Sequence, residues 1–212
     1  MGGSVEEGVV GIKAAVIAFA PESPRAVLRA GLVAGPGSRS LAEQFAGDGV
    51  LTQVGAASLD RAVWPDEGTV CAGRFDGLDI VAFRGLARAR PSEISEAVLG
   101  LAAGRRAYAV FMHSVVDWTA FAVWDGERLV RSLSLSPGEG VLEDIGERLP
   151  FEAPYWAGAH ALTHAPDYPL PFHPLELGDK ALAAYFGFAL ESALDDDILD
   201  PEDVSLAVFR IP

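Results

Sequence analysis

All four histidines of this chain fall between residues 113 and 173, in its stretch densest in aromatics and prolines. His160 and His164 stand at i and i+4, with Asp167 three residues on and His173 beyond. Imidazoles and a carboxylate so spaced could bind zinc or another divalent ion if the histidines shared a helix face. Pro166, Pro169, Pro171 and Pro174 oppose that helix, because each removes a backbone donor and fixes φ, and no glutamate adjoins His160 to act as a base. The metal candidates are therefore His160, His173 and Asp167, set against the simpler reading of histidines that hydrogen-bond the backbone of a packed loop.

His113, Ser114 and Asp117 are the residue types of a Ser-His-Asp triad. In a strand, residues 113 and 114 point to opposite faces, and no Gly-x-Ser-x-Gly elbow is present. The chemistry better suited to His113 is general-base work with a carboxylate brought from elsewhere, from Glu143, Asp144 or Glu152. The catalytic candidates are His113, Asp117 and Glu152. Glu152 lies in Leu149-Pro-Phe-Glu-Ala-Pro-Tyr-Trp156-Ala-Gly158, an acid among large apolar groups, and Arg131 is its expected partner. Such a pair would clamp a proline-rich loop onto the preceding hairpin, with Trp118 and Trp156 completing the clamp. Trp118, Arg131, Tyr155 and Trp156 are also the candidates for binding a ligand or partner, since aromatic faces offer both apolar contact and attraction for cations.

These residues need elements to hold them. Residues 9–20 are β-branched and nearly all apolar, as expected of a central strand buried on both faces. Ser23 and Pro24 can start a short helix to about Gly31, and Ser40-Leu-Ala-Glu43 has capping-box spacing for a second that Gly47 ends. Gly35-Pro-Gly37-Ser lacks the lysine of a phosphate-binding loop. Residues 69–83 read as a hairpin turning at Asp76-Gly77, which sets Arg74 opposite Asp79 and Cys71 beside Ile80 and Ala82. Residues 91–104 carry Ile94, Ala97, Val98 and Leu101 at helical spacing, and residues 107–112 form another apolar strand. A second hairpin, turning at Asp125-Gly126, places Arg131 opposite Ala120 between two tryptophans. Residues 141–145 suggest a short strand, residues 175–194 a last helix that tolerates Gly187 at about 1 kcal/mol, and residues 204–209 a closing strand. The acidic run from Asp195 to Asp203 lacks the spacing of a calcium loop and reads as solvated.

Half of the 212 residues are hydrophobic, enough for a sizeable core, and 30 acids against 16 bases give a net charge of −14. That field repels nucleic acid and anionic membrane surfaces. A single cysteine, Cys71, excludes an intramolecular disulfide and a thiolate metal cluster, which points to a reducing compartment. The first residues lack the basic start and apolar run of a signal peptide, and no run approaches the ~18 apolar residues of a membrane span, so the expected location is cytoplasmic.

The runs His113-Ser-Val-Val-Asp117-Trp118, residues 149–158 and Tyr168-Pro-Leu-Pro-Phe-His173-Pro-Leu-Glu176, with Arg131-Ser-Leu-Ser-Leu-Ser-Pro137 and Glu143-Asp144-Ile-Gly146, resemble an actinobacterial family of uncharacterised cytoplasmic proteins built on a domain of unknown function. The likeness covers most of the chain and is closest over residues 113–188. It implies no established activity, and it makes residues 161–166 a variable insertion, which sets His164 apart from any shared site.

The fold expected is α+β: one domain over residues 1–212, with a largely antiparallel mixed sheet of about six to eight strands and helices mainly on one face. An N-terminal strand-helix lobe spans about residues 9–104, and a C-terminal hairpin and wrapping-loop lobe about 105–212. An initial strand-helix unit could add one parallel pair. Two functions are expected from different classes. The first is a non-enzymatic binding or interaction module, of the inhibitor or immunity kind, for a basic protein partner or a small molecule. The second is a hydrolase-like enzyme using a histidine and a carboxylate, with or without metal. No cofactor is required by the sequence.

Overall fold

The computed structural model describes residues 11–29, 31–46, 50–162, 167–191 and 198–212. His164, the first three residues of the acidic run, the start of the first expected strand and the expected end of the last helix lie outside the described residues. In chain order the elements are β1 (Lys13–Ala20), α1 (Ser38–Ala46), β2 (Thr52–Ser58), α2 (Leu59–Ala62), β3 (Thr69–Phe75), β4 (Leu78–Ala82), α3 (Glu96–Gly100), β5 (Arg106–His113), β6 (Trp118–Asp125), β7 (Arg128–Ser136), β8 (Gly140–Ile145), α4 (Ala153–Trp156), α5 (Pro174–Phe186) and β9 (Ser205–Arg210).

All nine strands form one sheet, ordered β2-β9-β3-β4-β1-β5-β6-β7-β8, and every neighbouring pair is antiparallel. The continuously apolar run becomes β1 at the centre of the sheet, with all residues after Lys13 buried. β1 joins the N-terminal strands to β5, and β9 returns from the far end of the chain to insert between β2 and β3, so the two halves share one hydrogen-bonded layer. Among the described residues no helix is long and apolar enough to cross a membrane.

The expected six to eight strands become nine. The additional one is β2, Thr-Gln-Val-Gly-Ala-Ala-Ser, an edge strand exposed over its first five residues. With neither face buried it carries no apolar alternation, the signal by which a strand is read. The parallel pair allowed for at the start is reduced to a single bridge between Val33 and Ser205. Helices expected mainly on one face lie on both: Leu59 of α2, Tyr155 of α4 and most of α5 pack in one core layer, while Leu41 of α1 and Leu99 of α3 pack in the other. A central strand apolar at both parities requires this, because each face must be covered.

Local signals were overridden in three further places. The helix expected over residues 91–104 is a 3-10 turn at Pro91–Glu93 followed by α3, with Ile94 extended between them and Ser95 capping α3 through Val98 N–H. Ser92 is drawn away to Glu143 on β8, bonding it through both backbone and hydroxyl. The last helix begins at Pro174, as its first-turn proline and Glu176 favour, and ends at Gly187 (φ 81°), which is its stop and not an interior residue. In the second hairpin Asp125 pairs with Arg128, and a bulge leaves Val130 without a partner, so Arg131 faces Val123 instead of Ala120. One inserted residue sends every side chain beyond it to the opposite face. The first hairpin keeps its expected register, with Arg74 opposite Asp79, their side chains joined at 2.8 Å, and Cys71 opposite Ala82.

Candidate functional site

The Val130 bulge turns Arg131 into the core layer beneath α5. There Nε donates to Glu152 Oε1 at 2.9 Å and Nη2 to Oε2 at 2.6 Å, and neither side chain has any exposure. Nη1 donates to Asp144 and to the carbonyls of Ile145 and Gly146. Burial works against the guanidinium charge, and the bonds to Glu152 and Asp144 outweigh it, holding Arg131 above the ordinary arginine value. Glu152 Oε1 also accepts from Leu149 N–H at 2.9 Å. The carboxylate is sealed and fully engaged, so it ties the loop to the hairpin as the sequence suggests. Trp118 is not part of this clamp: it stacks on Phe111 in the other core layer and donates Nε1–H to Ser134 Oγ at 3.0 Å. Trp156 carries the Arg148 guanidinium 4.0 Å over its ring and meets the edge of Phe172.

The metal candidates separate into two pairs. His160 stacks on Tyr155 at 3.9 Å with Nδ1 2.5 Å from Glu176 Oε1, and His173 Nε2 lies 3.8 Å from Asp117 Oδ2. Asp167 belongs to neither, and among the described residues no three His, Cys, Asp or Glu side chains are placed to hold one ion. The buried Tyr155 phenol donates to the Glu176 carbonyl at 3.3 Å, and burial, then Glu176 and Asp179, push its pKa up.

His113, at the end of β5, is opposite Lys13 in register and 5.5 Å edge-on to Trp64. Its Nδ1 is buried without a partner. Burial first, then Lys13 and Arg84, push its pKa below the ordinary histidine value, and no carboxylate offsets them. Glu143 is occupied by Ser92 and Ser132, Asp144 by Arg131, and Glu152 by the clamp, so none serves His113 as acid-base partner. As pH falls through about 6.5, the unfolded chain takes up a proton that folded His113 resists, so stability declines there and levels off only below the folded value. The His113 Cε1–H resonance is expected to titrate with a midpoint below that value, and His113→Phe to remove part of the loss in urea midpoint between about pH 7 and pH 5.

Lys13, Trp64 and Arg84, the neighbours of His113, also line a cleft. β1 pairs with β5 over its full length but with β4 only from Val16 to Phe19. Where β4 stops, Ala15 N–H bonds instead to the Val63 carbonyl at 2.7 Å. The Val63-Trp64-Pro65 passage crosses the gap and leaves a cleft of about 890 Å³, within the usual range for small-molecule sites. Lys13, Arg61 and Arg84 line it with Trp64 and the acids Asp60, Asp66 and Glu191. The Arg84 guanidinium lies 5.2 Å and the Lys13 ammonium 6.0 Å from the Trp64 ring centroid, and Arg84 Nε donates to the Pro65 carbonyl at 2.8 Å. Among the described residues neither Lys13 nor Arg84 has a carboxylate within 4.0 Å. Asp60 Oδ1 is buried there without a hydrogen-bond donor. Cys71 also lines the cleft, but burial, then Asp66, push its thiol up to about 12, so it is no nucleophile at neutral pH.

Sequence reasoning missed Lys13, Asp60, Trp64 and Arg84. One signal was available: Lys13 is the sole charge within residues 9–20 and one of only two lysines, in a chain where arginine dominates.

The profile of a family of unknown function, DUF6928, matches residues 14–209. No curated protein and no solved structure matches the chain.

Proposed function

We propose that this chain, which belongs to the DUF6928 family, is a non-enzymatic binding module whose cleft beside Trp64 receives a small organic anion. One observation carries the reading: Lys13 and Arg84 stand together at one indole ring with no carboxylate within 4.0 Å among the described residues. Adjacent like charges repel, and contact with an aromatic face offsets only about 0.5–2 kcal/mol of that. In a chain of net charge −14 such cations ordinarily find acids. An anion bound beside the indole offsets that repulsion. Lys13, Arg61 and Arg84 line the cleft against Asp60, Asp66 and Glu191, so its charge is balanced where the chain as a whole carries −14, which favours a small anion over the basic protein partner expected from net charge alone. Binding rather than hydrolysis is supported by the engagement of Glu143, Asp144 and Glu152 away from His113. The lone, deeply buried cysteine supports a cytoplasmic setting, and the excess of arginine over lysine an actinobacterial source.

The test is a titration of the whole protein with lactate, acetate and inorganic phosphate, following the Trp64 indole N–H by NMR. Saturable shifts are expected that weaken with salt. Lys13→Met and Arg84→Met should each weaken binding about 10–100-fold, since a hydrogen bond to a charged group is worth roughly 1.5–3 kcal/mol. A bound anion should also raise the His113 midpoint by offsetting Lys13 and Arg84. Shifts indifferent to both substitutions, or matched by cationic probes, would overturn the reading.

A further inference from the structure

We infer that the ligand of this cleft joins its anionic group to a hydrogen-bond donor, a hydroxyl or an ammonium, that Asp60 receives. The inference rests on the anion-binding reading above and specifies the ligand's second group. Asp60 sits in α2, whose four residues run directly from β2 to the Trp64 passage. Its Oδ1 is withdrawn from solvent yet receives no donor from the protein, and a buried carboxylate oxygen left this way is costly. The remedy lies close by but is not taken: Arg61, Lys13 and Arg84 line the same cleft, and among the described residues none comes within 4.0 Å of an Asp60 oxygen.

The cleft therefore keeps charges of both signs apart. A simple carboxylate or inorganic anion would satisfy the cations and leave Asp60 unmet, with added repulsion from the incoming charge. A purely cationic ligand would do the reverse beside two uncompensated cations. An α-hydroxy or α-amino acid carries both complements within a few bonds, and a site of about 890 Å³ holds that unit together with a side chain. Asp60 would then discriminate, because a site built to accept a donor penalises the analogue that lacks it.

The experiment compares three probes of nearly one shape on the wild-type protein: propionate, lactate and alanine. Lactate or alanine is expected to bind at least about 10-fold more tightly than propionate, since a charged acceptor left unmet forfeits roughly that factor. Asp60→Asn should close most of this gap, and more for alanine than for lactate if the donor is an ammonium, because its charge pairing is lost as well. The wild-type series needs no variant, so misfolding of Asp60→Asn cannot decide the matter. Equal affinities for the three probes, with binding still dependent on Lys13, would overturn this inference and leave the anion reading standing. Failure of all three to bind would overturn both.

Discussion

Replacing Arg131 by methionine is expected to lower the unfolding free energy by about 3–5 kcal/mol, the usual cost of removing one partner from a buried ion pair. The loss arises less from the bonds given up than from what remains. Glu152 keeps no exposure and would face its layer with only the Leu149 N–H as donor. Asp144 suffers little, because its side chain is 36% exposed and water can replace the lost contact. In urea the midpoint should fall on the order of 1–2 M, for a slope of about 2–3 kcal/mol per molar. Replacing both residues, Arg131→Met with Glu152→Leu, removes the orphaned charge and should recover more than half of the loss, as apolar substitutes for buried pairs commonly do. A single variant costing less than about 1 kcal/mol would show that the pair is not the clamp its geometry describes.

Gly146→Ala should cost about 3 kcal/mol by a different route. Gly146 holds φ at 83°, a conformation that costs an L-residue roughly 1–2 kcal/mol. An added Cβ would also lie 2.0 Å from the Val130 carbonyl oxygen, a backbone atom that no rotamer change can move. Gly158 is the internal control: its φ of 85° is equally left-handed, but nothing lies within 4 Å of the added carbon. Gly158→Ala should therefore show only the conformational part, and thermal or urea unfolding of the two variants separates strain from collision. Because Arg131 Nη1 donates to the Gly146 carbonyl, displacement there should disturb the clamp. Arg131→Met and Gly146→Ala combined should then cost less than their sum. Strict additivity would mean that the bulged strand and the clamp are independent.

These two residues also mark how far the sequence could be read. The Arg131–Glu152 pair was legible because an acid between phenylalanine and tyrosine must find a cation when buried, and Arg131 was the odd charge in an apolar hairpin. Its face was not legible. A two-residue turn implies one register, and the Val130 bulge in the pairing of β7 with β6 inverts it. His113 was singled out for its residue type, yet its neighbours proved to be Lys13, Trp64 and Arg84, from segments 100, 49 and 29 residues away in the chain.

By itself the sequence determined what short-range chemistry governs: the buried centre of β1, the Asp76-Gly77 hairpin and its Arg74–Asp79 pair, the existence of α5 and the clamp partner for Glu152. Residue periodicity, turn residues and the cost of burying charge act within a few residues or on a single side chain. The tertiary structure alone decided that β2 joins the edge, that β9 returns between β2 and β3, and that β4 stops before Lys13. The cleft exists because of that last mismatch in strand lengths, and no local pattern encodes where one strand outruns its neighbour.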